Sequence, residues 1–318
     1  MKGEQSYQYQ IGDDLVQMKC PKNEFLVGIE QSIDWTELDK RLGNYYSHTG
    51  RPSHPPLVVF KMLLLQQWYG LSDEEVEFQS KDRLSFQQFL GLGLGDAVPD
   101  AASLVRLRKL LAKDDQGEQL FKILTEQLES RGLIVKRGTL VDASVVQSAR
   151  RGPPKREKAK DTSDREAGWT VKKGQSVHGY KAHMATDREH DLIRDIAVTP
   201  ANVHDSQCID ELLQWDERAV YADKAYDSEA RRDELKANKI WPCIHHKAKR
   251  NQPLTEQQER ANKRYTKIRA AVERPFAWWK NLFDFRRCRY VGLARNTTDV
   301  YLLAFAYNLK RSVSLDTG

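Results

Sequence analysis

The sequence predicts an α/β fold, a mixed sheet flanked by helices, preceded by an all-helical region. Three observations predict it. Residues 31 to about 130 carry helical periodicity, interrupted only by short turns marked by glycine or proline. From about residue 137, short β-branched runs alternate with helix-length amphipathic stretches, as a sheet covered by helices requires. The chain then closes on one long polar helix pattern and one apolar pattern, TTDVYLLAFAYNLKR.

Taken in order, residues 1 to 30 show no readable pattern. WTELDKRLGNYY, PPLVVFKMLLLQQWYG, SDEEVEFQSKD, LSFQQFLGLGLG and ASLVRLRKLLAKDD each read as a helix. The third is opened by a capping box from Ser72 to Glu75. Such helices fit an ordinary bundle or a helix-turn-helix whose recognition helix carries Arg106, Arg108 and Lys109. GTLVDASVV reads as a buried strand ending at Asp142, and RAVYAD as another ending at Asp223. Between them lie a basic loop over 150–176, two strands, SVHGYKAHMATD and LIRDIAVTPAN, around a turn at Glu189 to Asp191, and a helix capped near Asp205. Residues 228–238 read as a helix and WPCIHH as a short strand. TEQQERANKRYTKIRAAVERPFAWWKNLF follows as one long helix kinked at Pro275. The organisation expected is an N-terminal segment 1–30, a helical DNA-binding domain 31–135 and a catalytic domain 136–318.

Bulk properties narrow the class. The apolar run LVVF then MLLL, residues 57–65, is interrupted by Lys61 and too short to cross a bilayer, and no signal-peptide pattern opens the chain. A cytoplasmic protein with no membrane partner is expected. Cys20, Cys208, Cys243 and Cys288 are far apart and form no CxxC pair, which supports neither a zinc knuckle nor a disulfide framework. The net charge of +6 is unevenly spread. Residues 150–173 carry nine Lys or Arg against four acids and residues 260–295 eleven against two, so the rest of the chain is net acidic. Focused cations of this kind suit a polyanionic partner, DNA above all.

The candidate site is built from acids. In RYTKIRAAVERPFAWWK a continuous helix would turn Tyr265, Arg269, Glu273 and Lys280 onto one stripe, at successive offsets of about 40°, 80° and 60° from Tyr265. A solvated salt-bridge ladder has the same spacing. Asp142 and Asp223 add weight, because a carboxylate in an apolar strand is costly to bury without a cation. Two such acids and a helical glutamate point to a shared site for hard cations, Mg2+ or Mn2+, as metal ligands. Arg269 and Lys280 would then bind phosphate. A transition-metal set of His178, His183, His204 and Asp205 is disfavoured, since His178 and His183 face opposite sides of one strand. The aromatics Phe276, Trp278, Trp279, Phe283, Phe285 and Tyr290 read as mostly core, with Trp278 or Trp279 the exception suited to base stacking.

The segments VPDAASLVRLRKLL, LVDASVV, HGYKAHMATD, TPANVHDS, VYADKAYDS and AAVERPFAWWK, in this order from about residue 50 to 311, resemble the DDE transposases of bacterial insertion sequences, family five in particular. One difference is that three residues separate Tyr265 from Arg269 where that family commonly has two. The resemblance implies a ribonuclease-H-like catalytic domain with Asp142, Asp223 and Glu273 as catalytic acids and metal ligands. It implies two Mg2+ or Mn2+ ions per site and a nucleoid-associated enzyme acting on terminal inverted repeats and target DNA as a homodimer or higher oligomer. Lys181 and His183 would line the DNA, with Tyr265, His204 and Asp205 in support. A non-catalytic DNA-binding regulator and a metal-dependent nuclease without strand transfer are the alternatives.

Overall fold

The structure is a computed structural model that describes residues 2–3, 23–46, 53–153, 163–172, 174–248, 252–282 and 285–316. Cys20, Phe283 and most of the basic loop therefore lie outside the described residues. The chain divides into two compact units, residues 1–128 with 301–318, and residues 129–300.

The first unit is helical. Its elements are α1 (Glu24–Ser32), α2 (Trp35–Gly43), α3 (Pro56–Tyr69), α4 (Asp73–Asp82), α5 (Leu84–Leu90), α6 (Ala101–Leu111) and most of α7 (Gln116–Ser130). α1 falls partly in the stretch that sequence patterning left blank; Asn23 caps it by accepting from the Leu26 N–H. Helix α3 is mostly apolar and buried nearly all round, and its Phe60 meets Phe305 edge-on with ring centroids 5.1 Å apart. Gly70 ends α3 at φ 64°, a left-handed cap that glycine adopts without strain. Ser72 caps α4 by accepting from the Glu75 N–H, but the Glu75 carboxylate accepts from Gln79 Nε2, so the expected reciprocal box is not its arrangement. The connection from α5 to α6 runs over Gly91–Asp100, longer than the three- or four-residue turn of a tight helix-turn-helix.

The second unit is built on one six-stranded sheet. Its strands are β1 (Thr139–Gln147), β2 (Gly168–Lys172), β3 (Gln175–Asp187), β4 (Ile193–Pro200), β5 (Ala219–Ala222) and β6 (Trp241–Ile244). β3 pairs antiparallel with β1 on one flank; on the other it pairs with β2 and then β4. β1, β5 and β6 run parallel. Gly179 is where β1, β2 and β3 meet, and a Cβ there would come 2.0 Å from the Val146 carbonyl oxygen, which explains the glycine of HGYKAH.

Alternation along the strands sorts the two faces. Val141, Val220, Ala222 and Ile244 pack with Ile209 and Leu212 of α8 (Ile209–Leu212) and Leu235 of α9 (Glu229–Ala237). Leu140, Ala219 and Tyr221 face the other way, against Val272, Tyr265 and Ile268. Asp142 shares that second face with Leu140 by strand periodicity. The long helix expected over 255–283 is two: α10 (Glu256–Arg269) and α11 (Glu273–Leu282), joined by a 3-10 turn at Ala270–Val272. The break therefore comes before Glu273, not at Pro275, which sits in the first turn of α11 where its missing N–H leaves no intrahelical bond unmade. Thr255 and Gln258 form a complete capping box at the start of α10. A last helix, α12 (Leu293–Asp316), ends the described chain.

Candidate active site

Asp142 and Asp223 meet because of register. Thr139 lies opposite Val220 and Leu140 opposite Tyr221, and the same register carried two residues further sets Asp142 against Asp223. β1 does not stop at its acid as the sequence reading expected; it continues to Gln147, held by β3, while β5 stops at Ala222. Asp223 is thus freed from the ladder and caps a 3-10 turn, accepting from the Lys224 N–H at 2.5 Å. Capping leaves its other carboxylate oxygen available, so the structural and chemical readings of this residue are compatible.

Arg269, the last residue of α10, bridges the pair. Its Nη2 is 3.5 Å from Asp142 Oδ2 and its Nη1 4.0 Å from Asp223 Oδ1. Burial pushes the Asp142 carboxyl above the usual carboxylate range; Arg269 and the Ala143 N–H pull it back, while the charges of Asp223 and Glu273 push it further up. Two acids around one guanidinium, the first repelled by the second and by Glu273, are what a site for added positive charge looks like in chemical terms. Among the described residues, no three His, Cys, Asp or Glu side chains converge closely enough to hold an ion as they stand with Arg269 between them. The donor set is nonetheless suited to hard divalent ions, because Asp142 offers carboxylate oxygens from within a strand and Asp223 from just past one, with the Arg269 cation holding the place between them.

Glu273, exposed at the start of α11, opens onto a groove of about 910 Å³ that it shares with Asp142, Lys172, Gln175, Lys280 and Arg286. The 3-10 turn before it replaces the single continuous stripe expected of Tyr265, Arg269, Glu273 and Lys280, yet Asp142, Glu273 and Lys280 still line one groove. Burial, and after it the charge of Lys172, lower the Lys280 ammonium below the usual lysine range, with Asp142 and Glu273 holding it up. A phosphate arriving in the groove would relieve that cost.

Other expected contributors sit differently. Tyr265 packs its ring against Tyr221 and His245, at 6.0 and 6.3 Å between centroids. Lys181 Nζ donates to Asp205 Oδ1 and to the Val203 carbonyl, both at 2.7 Å, so Asp205 serves this pair and His204, not Asp205, caps the following turn. His183 is a correction: it is fully buried, its Nε2 is 3.0 Å from Thr199 Oγ1, and burial pushes its pKa down to about 4, so it presents nothing to DNA. Arg108 is another, since its guanidinium is tied to Asp73 and to Gln66 Oε1. Arg106 and Lys109 are exposed. Trp279 is fully buried and belongs to the core with Phe276 and Phe285.

Comparison with known families decides the class. The Transposase DDE domain family matches residues 134–309, more than half of the chain, and the Transposase domain (DUF772) family matches residues 14–110. The chain belongs to the DDE transposases. A DDE transposase is a metal-dependent enzyme that cuts and joins DNA, and the sheet of this transposase, helices on both faces, is the ribonuclease-H-like α/β fold of that family. Among solved structures, the transposase is similar to a piggyBac transposase in a synaptic complex with hairpin DNA, determined by cryo-electron microscopy. The two are 11% identical with a TM-score of 0.47 over 96% of this chain and 76% of that one. No helix among the described residues is long and apolar enough to cross a membrane.

Sequence reasoning missed His245. It follows β6 as Asp223 follows β5, and its Nδ1 is 3.6 Å from Asp223 Oδ1. The signal was present, a polar residue closing a short apolar strand, but WPCIHH was read only for its strand character.

Proposed function

We propose that this transposase belongs to insertion sequence family five, binds the terminal inverted repeats of its element, cleaves the ends and joins them to target DNA. Asp142, Asp223 and Glu273 are its catalytic acids and the ligands of two Mg2+ or Mn2+ ions. The observation that carries the reading is the juxtaposition of Asp142 and Asp223 in adjacent parallel strands around Arg269, beside a groove walled by Glu273, Lys172, Lys280 and Arg286. When bound, divalent ions supply activation of the attacking hydroxyl and stabilisation of the leaving oxygen. The chain's own groups do the rest. Asp142, within β1, and Asp223, just past the end of β5, orient the charge, and Glu273 closes the site from the α11 side. Arg269 and Lys280 hold the phosphate backbone and neutralise it.

The helical region 31–135 contributes Arg106 and Lys109 to DNA binding, and the catalytic domain spans 136–318. Lys181, His204, Asp205 and Tyr265 support the acids. Bringing two element ends together calls for at least a dimer with twofold symmetry, working in the cytoplasm on the nucleoid. The test is cleavage and joining of labelled DNA carrying the element's ends, with Mg2+. The wild type should cut and join, and Asp142→Asn, Asp223→Asn and Glu273→Gln should lose both activities while keeping DNA binding. Cutting without joining would move the assignment to a nuclease. Wild-type binding with no cutting under any divalent ion would move it to a regulator.

A further inference from the structure

His245 extends the row of the two aspartates by one strand. Ala222 lies opposite Ile244 in the parallel pair of β5 and β6, the next step of that register sets Asp223 against His245, and the His245 N–H donates to the Ala222 carbonyl at 3.1 Å. Asp142, Asp223 and His245 therefore stand side by side across three neighbouring parallel strands.

The imidazole is held so that Nδ1 is an acceptor. Its Nε2 is 3.2 Å from Thr266 Oγ1, and the Thr266 hydroxyl already donates to the Asn262 carbonyl at 2.9 Å. Thr266 must then accept, so His245 carries its proton on Nε2 and Nδ1 keeps a lone pair. Asn262 fastens the same segment through both ends of its amide, accepting from the His246 N–H at 2.8 Å and donating to the His246 carbonyl at 3.1 Å. Tyr265 stacks on the ring at an interplanar angle of 25°. Nδ1 accepts from Arg269 Nη1 at 3.4 Å and lies 3.6 Å from Asp223 Oδ1, the oxygen that also takes the Lys224 N–H. A cation between them is attracted by both atoms at once. Arg269 is that cation here, and it is one member of a group in which its own Nε has no hydrogen-bond partner.

We infer that His245 Nδ1 is a further metal ligand of the site, binding beside Asp223 the divalent ion that displaces Arg269. This rests on the reading of Asp142 and Asp223 as metal ligands. A neutral imidazole whose second nitrogen is hydrogen-bonded is the usual state of a ligating histidine. One nitrogen among oxygens shifts preference from Mg2+ towards Mn2+ and, more strongly, the later first-row ions.

The test uses the full chain with Mn2+ alone, read by pulsed electron paramagnetic resonance. Bound Mn2+ should show modulation from a directly coordinated nitrogen, and uniform 15N-histidine labelling should change that modulation in the wild type, which needs no variant to fold. His245→Gln should abolish it and weaken Mn2+ binding by about tenfold or more, with a smaller loss for Mg2+. Thr266→Val, which leaves Nδ1 in place, should keep the nitrogen signal. Mn2+ that binds through Asp142 and Asp223 without histidine nitrogen coupling overturns the inference and leaves the proposed function standing. Mn2+ binding that survives both Asp142→Asn and Asp223→Asn overturns the reading of the acids themselves.

Discussion

Replacing Arg194 with methionine should cost the second unit about 3–5 kcal/mol, the range for removing one partner of a buried ion pair. Arg194, on β4, has a side chain only 2% exposed. Its Nη1 donates to Thr139 Oγ1 at 2.7 Å and to Glu217 Oε1 at 3.2 Å, and its Nη2 donates to Asp216 Oδ1 at 2.5 Å. The three partners lose unequally. Asp216 is about a third exposed and keeps Lys136 at 2.7 Å, so it contributes little to the loss. Thr139 is a neutral hydroxyl. Glu217 is the partner that matters, since its side chain is wholly buried and, among the described residues, its Oε2 has no hydrogen-bond partner and its charge without Arg194 is offset only by the Gln214 N–H at 3.1 Å. For a unit of roughly 170 residues, the loss corresponds to a fall of about 6–20 °C in the melting temperature of that transition. Scanning calorimetry of the chelator-treated protein measures it. Because the cost lies in the stranded acid, Arg194→Met with Glu217→Leu should recover most of it. A fall of under about 3 °C for the single variant, or a double variant no more stable than the single, would refute the argument.

Three further outcomes follow from the same geometry. His183, whose pKa is held at about 4 against an ordinary 6.5, is neutral in the fold; stability is fully present above pH 6.5 and falls by about 3 kcal/mol as the pH drops towards 4, a loss that urea titrations should find missing in a stably folded His183→Asn variant. In the helical unit, Glu30→Ala should cost more than Lys61→Met. Lys61 Nζ is buried against the Phe89 carbonyl at 3.1 Å and lies 4.7 Å from the Trp35 ring centroid, whereas Glu30 is 45% exposed and can turn to water, so stranding the ammonium costs about 3 kcal/mol and stranding the carboxylate far less, as paired denaturant melts would test. Lys280→Met should melt higher than the wild type, since burial already disfavours its charge, while its DNA affinity falls and the slope of log affinity on log salt drops by about one, measured by anisotropy over a salt series.

The sequence made the strands and two of the acids legible because both rest on local patterns. A β-branched run reaching an aspartate reads as a strand with a buried charge, and β1 and β5 are such runs. What depends on register or on a neighbour in space was hidden. His245 and Arg194 look like ordinary strand residues until the parallel pairing and the buried Glu217 are known. His183 and Arg108 look available because residue type says nothing of burial, and the first is enclosed by the sheet and the second occupied by Asp73. The break at Ala270–Val272 had no glycine or proline to mark it, whereas Pro275, the visible breaker, lies in a helical turn that tolerates it.

If Asp142 and Asp223 are the catalytic acids proposed, the parallel pairing of β1 with β5 also determines when a cutting enzyme first exists. Parallel neighbours cannot be joined by a tight turn, and the chain between these two must lay down β2, β3, β4 and α8 before Asp223 reaches Asp142. Under the proposed assignment, Glu273 and the groove come later still. A growing chain on the ribosome therefore carries the basic residues of 150–173 well before it owns all three proposed acids. On that assignment it cannot cut the DNA around it until Glu273 has been made, and a product ending between Asp223 and Glu273 never cuts.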